Sequence, residues 1–269
     1  MTTQTKSPPY TPHRKHWLFG DGKEISKGVL DWLKEAEAGA GDIFKAKLPI
    51  GKMIATTKPE YIKHVLVDNA KNYHKSVAYQ VMKHFLGEGL LTSEGDFWLR
   101  QRRLAQPAFH KKKLAAIAHS MSDEARKHME RWKALEKKGG GFDMLSEMME
   151  VTMRIVARAL FSAEMEENIG EIGSRIGELN EFAVERTTSL VKLPLWVPTK
   201  MARGFKTAAK AVDSVIYRII EERRAADAQY DDLLSMLMEA KDEDTGEMMN
   251  AKQLRDEAVT IFVAGHETT

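Results

Sequence analysis

The sequence predicts a mostly α-helical protein with one small β-hairpin sheet, on three observations. Apolar residues recur at helical spacing through nearly all of the chain after Asp96, as at Leu114, Ile117, Ala118 and Met121, which places them on one helix face. Strand-like alternation is confined to one stretch, "IFKAKLPIGKMIATT", residues 43–57, two short runs around a turn. Helix punctuation is frequent: Pro59 suits a first turn, Thr199 and Asn250 suit N-caps, and Pro107 and glycines 139–141 suit stops.

The elements follow in order. Residues 1–22 are polar and proline-rich, an irregular lead-in. Lys23 to Ala38 carries Ile25, Val29, Leu30, Trp32 and Leu33 and suits a short amphipathic helix closed by Gly39 and Gly41. Ile43–Leu48 and Met53–Thr57 form the hairpin, turning at Pro49–Gly51. Pro59 opens a helix with Ile62, Val65 and Leu66 on one face, and Tyr73–Asp96 is looser. Helices then run over Phe97–Leu104, Lys111–Lys137, Phe142–Phe161 and about Ile172–Val191. "LVKLPLWVPTK" breaks the pattern with Pro194 and Pro198 and exposes Leu193, Leu195 and Trp196 in a loop. Thr199 starts a helix to about Ala226, "DDLLSMLMEA" is a short helix, "KDEDTGEMMN" is a solvated loop, and a last helix runs from Asn250 to the final residue.

Composition narrows the function classes. At 43% hydrophobic and 30% charged residues, there is apolar material for a sizeable core. The 41 basic and 39 acidic residues nearly cancel, which gives no electrostatic reason to expect nucleic acid. Cysteine is absent, which removes disulfides, thiolate metal sites and cysteine nucleophiles from these residues. No stretch approaches the ~20 apolar residues of a membrane span, and no signal-peptide core precedes the helices; the expectation is a cytoplasmic protein. The 15 methionines are scattered as core filling.

Two stretches carry candidate chemistry. The first is "FVAGHETT", Phe262–Thr269. On a helix, Thr268 lies four residues after Ala264 and its hydroxyl reaches the Ala264 carbonyl. Gly265 leaves a shallow groove, and glycine and threonine each cost roughly 0.5–1 kcal/mol of helix propensity relative to alanine. A helix that gives up stability at one spot is a candidate functional site, with Thr268 supplying a hydroxyl and Glu267 a carboxylate for proton relay. The bland alternative is a frayed helix end facing water. "HE" at 266 and 267 could also begin a zinc-binding HExxH pattern, which requires histidine directly after Thr269.

The second stretch is "GDFWLRQRRLAQPAFH", residues 95–110. Trp98 and Arg102 are four apart and share a helix face; an indole N–H beside a guanidinium fork suits a carboxylate held against a flat apolar body. Arg100 and Arg103 point elsewhere and make a basic surface with Lys111, Lys112 and Lys113. The bland alternatives are a core tryptophan and a solvated charged face.

Together these stretches resemble the cytochrome P-450 family of haem-thiolate monooxygenases. "AGHETT" is similar to the family's oxygen-activation motif in its long central helix, and "FWLRQRR" to its WxxxR motif; "GEGLLTSEGDFW" and "LAQPAFH" resemble soluble bacterial-type members. The resemblance implies the N-terminal part of the P-450 fold, with residues 23–269 an incomplete single haem-monooxygenase domain. It implies haem b as cofactor, with Trp98 and Arg102 on a propionate and Ala264 and Gly265 lining the oxygen groove. Thr268 would steer protons toward dioxygen and Glu267 would support that relay. Leu195 and Trp196 would guard substrate access. The basic surface would be a docking face for a ferredoxin-, flavodoxin- or reductase-type donor carrying electrons from NAD(P)H, and the substrate would be a small apolar organic molecule.

The chain departs from the family in one respect. The family's ExxR helix and ligating cysteine lie beyond the central helix, and there is no cysteine here. The expectation is therefore a fragment, inactive by itself, with Ile261, Phe262 and Val263 partly uncovered. A non-enzymatic helical binding or scaffold module is the alternative.

Overall fold

A computed structural model describes residues 7–12, 19–48, 51–139, 141–162, 169–188, 193–225 and 230–268. The chain divides into two compact units, Met1–His74 and Lys75–Thr269.

The first unit is built on the hairpin. β1 (Ile43–Leu48) pairs antiparallel with β2 (Gly51–Thr56), in register from Ile43 opposite Thr56 to Leu48 opposite Gly51. Of the expected turn residues Pro49–Gly51, Pro49 and Ile50 lie outside the described residues and Gly51 opens β2. The helix expected over Lys23–Ala38 is two helices, α1 (Gly22–Ile25) and α2 (Val29–Ala40), and the stop is at Gly41, with Gly39 inside α2. Burial explains the hairpin. Alternate residues Phe44 and Ala46 face inward onto Trp32 and Ala36 of α2, and the Trp32 and Phe44 rings meet edge-on at 5.9 Å. The described lead-in is irregular but anchored. Tyr10 bridges to Lys45, and buried Asp21 accepts from the Thr11 hydroxyl at 2.6 Å and the Lys47 amide at 2.7 Å. α3 (Pro59–Lys63) begins at Pro59, as expected, and continues as a π-helical turn over His64–Asp68.

The second unit is helical. The stretch read as loose contains α4 (Val77–Leu86); its signal was missed because it is short, and it docks through buried Val81, Phe85 and Leu86. α5 (Gly95–Ala105) runs into a 3-10 turn at Gln106–Phe109 that holds Pro107. Then come α6 (Lys111–Lys137), α7 (Met144–Phe161), α8 (Ile169–Thr188), α9 (Lys200–Ala225), α10 (Leu233–Glu239) and α11 (Ala251–Glu267). The ends expected for α8 at Val191 and for α9 at Ala226 lie outside the described residues.

Caps set several starts. Asp143 accepts from the Leu145 and Ser146 amides, Thr199 from the Ala202 amide at 3.0 Å and Asp232 from the Ser235 amide at 3.0 Å. Asn250 and Gln253 form a reciprocal capping box at 2.9 and 2.8 Å, which satisfies two of the amides a helix start leaves open.

The main core joins Leu160 and Phe161 of α7, Ile176 and Leu179 of α8, Ile216 and Ile220 of α9 and Phe262 of α11. Phe262 and Val263, expected to be partly uncovered, are buried, and Ile261 is half-buried. The reason is that α7 and α9 both pack on α11, with the Phe161 and Phe262 rings 6.5 Å apart.

At one edge, the buried guanidinium of Arg223 donates to both Asp232 oxygens at 2.6 and 2.7 Å and to the Phe161 carbonyl at 2.9 Å. The Ser162 hydroxyl donates to the same carboxylate at 2.6 Å. This ties the ends of α7 and α9 to the start of α10.

Residues 241–250 are not simply a solvated loop. Asp242 is 3% exposed and Met249 is buried, because the Asp242 carboxylate accepts from Asp244 and Thr245 within the turn and from Arg103 on α5.

Candidate active site

α11 carries the acid and the alcohol. The Thr268 hydroxyl donates to the Ala264 carbonyl one turn back, the bond expected from the spacing. Ala264, Glu267 and Thr268 share one exposed face.

The residues between them face inward. The imidazole of His266 is buried, and burial lowers its pKa, opposed by the neighbouring Glu267 carboxylate. Its Nδ1 lies 3.7 Å from Glu267, and its backbone carbonyl accepts from Thr152 of α7 at 3.2 Å. A Cβ at Gly265 would stand 2.7 Å from Cγ2 of Val156 on α7, so the absent side chain lets two helices approach closely. The groove read at this point thus has a packed side, toward α7, and an open side, at Ala264.

α5 carries the second constellation. The Arg102 guanidinium lies 5.5 Å from the centre of the Trp98 indole, a cation–π distance. Trp98 is half-buried and Arg102 exposed.

The expected basic surface is largely neutralised. Arg100 pairs with Glu247 at 3.0 Å, Arg103 with Asp244 at 2.6 Å and Asp242 at 3.2 Å, and Lys113 with Asp231 at 2.6 Å. The acids come from 139 to 147 residues away for the two arginines, too far for local sequence to reveal. Lys111 and Lys112 remain exposed. Among the described residues, Arg102 is the α5 arginine without an acidic partner.

In the loop after α8, Leu195 is half-buried and packs on the main core, contrary to its expected exposure, whereas Trp196 is 78% exposed.

Sequence reading missed an acid pair on α11. Asp256 and Glu257 are buried. Asp256 accepts from the Glu88 amide at 2.9 Å and Glu257 from the Leu90 amide at 3.0 Å. Burial pushes Glu257 up to about 7, opposed by the Leu90 hydrogen bond. The available signal was two adjacent acids, Asp256 and Glu257, directly before the apolar run Ala258–Val259 and Ile261–Ala264.

The family model described as Cytochrome P450 matches residues 8–269. Cyclooctatin synthase of Streptomyces melanosporofaciens is 32% identical over 99% of this chain and 59% of its own length. Cyclooctat-9-en-7-ol 5-monooxygenase of the same organism is 30% identical over 94% and 54%. The human ultra-long-chain fatty acid omega-hydroxylase is 28% identical over 96% and 52%. The chain belongs to the cytochrome P450 family, and it spans about half the length of the curated relatives it matches.

Family membership implies haem. The α5 residues fit its carboxylates, since an unpaired guanidinium against an indole is the donor set a propionate needs. No helix is long and apolar enough to cross a membrane, among the described residues.

Proposed function

We propose that the chain is part of a haem-dependent monooxygenase that inserts one atom of dioxygen into a small apolar organic substrate. It works in the cytoplasm with electrons from NAD(P)H delivered by a ferredoxin-, flavodoxin- or reductase-type donor. The observation that carries this reading is the unpaired Arg102 guanidinium against Trp98, on a helix whose other arginines are neutralised. Relatives named as a monooxygenase and a hydroxylase support the reaction class.

Haem b, when bound, supplies the electron and dioxygen chemistry. Arg102 forms a charge-assisted bond to a propionate, and Trp98 presents a flat apolar wall and its N–H. Ala264, on the open side of α11, would line the space beside the cofactor with minimal bulk, and Gly265, packed on Val156, would contribute its backbone there. Thr268 Oγ1 holds a proton; its bond to the Ala264 carbonyl fixes the rotamer, and its lone pairs stay available to accept. Glu267, exposed beside it, resupplies that proton from solvent. Leu195, packed on the core, and Trp196, exposed beside it, guard the substrate approach.

The family's thiolate ligand is not among these 269 residues, which contain no cysteine. Their share of the work is the carboxylate clamp and the proton groups. The test is a haem titration of the full natural reading frame that contains these residues, followed by reduction and carbon monoxide. A thiolate-type Soret band is expected there and not from the 269-residue chain alone. Failure of the full reading frame to bind haem overturns the proposal in favour of a helical scaffold module.

A further inference from the structure

The turn between α4 and α5 is held from three sides. Gly87 and Gly89 bring its backbone against α11, where a Cβ at Gly87 would stand 2.1 Å from Asp256 Oδ1 and one at Gly89 2.3 Å from Thr260 Oγ1. The Glu88 and Leu90 amides then donate to Asp256 and Glu257. Lys75 reaches over the same turn and donates from Nζ to the Ser93 carbonyl at 2.6 Å and the Leu90 carbonyl at 3.2 Å, while its backbone amide donates to Glu94. Glu94 is the N-cap residue of α5, with Trp98 and Arg102 on the turns that follow.

None of these bonds belongs to the helical ladder of α11 or α5. They cost the burial of two carboxylates, which is unfavourable unless hydrogen bonds to the charged or polar form compensate. A buried acid pair aimed at one turn therefore acts on that turn. The charged groups around it are Lys75, Glu94, Lys83 and Glu88 on the α4–α5 side, Lys252 and Arg255 on α11, and Asp213 on α9.

We infer that Asp256, Glu257 and Lys75 form a brace that fixes the start of α5 against α11 and so sets the position of the Trp98–Arg102 carboxylate clamp relative to the helix bearing Glu267 and Thr268. These are positioning residues. The inference rests on the haem reading above, and it adds the residues that connect the two constellations, since no hydrogen bond or ion pair joins α5 to α11 directly among the described residues.

The test uses the full reading frame and compares wild type, Glu257→Ala, Glu257→Gln and Lys75→Met. Two quantities are read: amide hydrogen exchange over residues 87–94, measured without haem, and the haem dissociation constant from tryptophan quenching. Glu257→Ala is expected to release protection of the 87–94 amides and to weaken haem binding on the order of tenfold, the scale of a lost bond to a charged group. Glu257→Gln keeps an acceptor for the Leu90 amide and is expected to restore both. Lys75→Met, at a half-exposed site, is expected to weaken haem binding in the same direction and decides the matter if Glu257→Ala does not fold.

Unchanged haem affinity in both Glu257→Ala and Lys75→Met overturns the brace even if exchange rises, because the turn would then be only structural. If wild type binds no haem, the function proposed above fails, and unchanged exchange in Glu257→Ala would separately overturn the brace.

Discussion

The guanidinium of Arg102 lies 5.5 Å from the Trp98 ring centre with no acid among the described residues to neutralise it, although Arg100 and Arg103 on the same helix reach Glu247, Asp242 and Asp244. A charge left unpaired among paired neighbours is available to a ligand. Arg102→Ala is expected to weaken haem binding by roughly tenfold or more, the equivalent of about 1.5–3 kcal/mol for a bond to a charged group. Arg103→Ala, which breaks only the two pairs to Asp242 and Asp244, is expected to leave haem affinity near wild type. Equal losses in the two variants, measured by Soret titration, would mean that the clamp is misassigned.

Thr268→Ala separates chemistry from folding. The hydroxyl bonds only its own helix, at an exposed position, and alanine is the better helix former. Thermal stability is expected to stay within about 0.5 kcal/mol of wild type. Substrate oxidation per dioxygen consumed is expected to fall by about a hundredfold or more, the usual worth of a positioned proton donor. Unaltered coupling of oxygen use to product formation would exclude Thr268 from proton transfer.

Gly265→Ala tests the close approach of α11 and α7. The added methyl meets Val156 at 2.7 Å, and overpacking of this kind costs about 1–3 kcal/mol. Adding Val156→Ala is expected to recover part of that loss, which denaturant melts of the double-mutant cycle will read. Additive losses would show that the two residues do not press on one another.

Glu257 makes stability depend on pH. Its ordinary value is 4.5 and its folded value about 7, so the folded chain binds more protons between these limits. Stability is therefore fully present below about 4.5, falls as pH rises toward 7 and then levels off, by about 3 kcal/mol at most. His266 has the opposite sign. Its lowered value favours the folded state as pH rises toward 6.5, so the two partly cancel in wild type. Glu257→Gln removes only the carboxyl contribution, and its unfolding free energy is expected to rise with pH relative to wild type between about 5 and 7. Parallel pH profiles for the two proteins would disprove the assignment.

Asp232→Ala removes the Asp232 carboxylate from the buried Arg223 guanidinium. Stripping one partner from a buried pair costs about 3–5 kcal/mol, whereas replacing both is far milder. Arg223→Met with Asp232→Leu is accordingly expected to be more stable than Asp232→Ala alone in urea melts, and the reverse order would show that the pair is net stabilising by itself.

The local elements were readable because their causes are local. Periodicity placed α6 to within its observed ends, alternation placed both hairpin strands, and Asn250 marked the start of α11. Both constellations were readable for the same reason: four-residue spacing on one helix puts Trp98 beside Arg102 and Thr268 over Ala264 without help from the rest of the chain.

Contacts between distant segments were not. The acids that silence Arg100 and Arg103 stand about 140 residues along the chain, and Asp256 and Glu257 find their amides 168 and 167 residues earlier. Leu195 was read as exposed because its neighbours are loop residues, yet the core receives it. Helix periodicity and capping depend on residues within one turn of each other. Which charge stays unpaired, and which acid is worth burying, depends on what packing brings alongside, so local side-chain geometry belongs to the amino-acid order and the electrostatics of the site to the assembled helices.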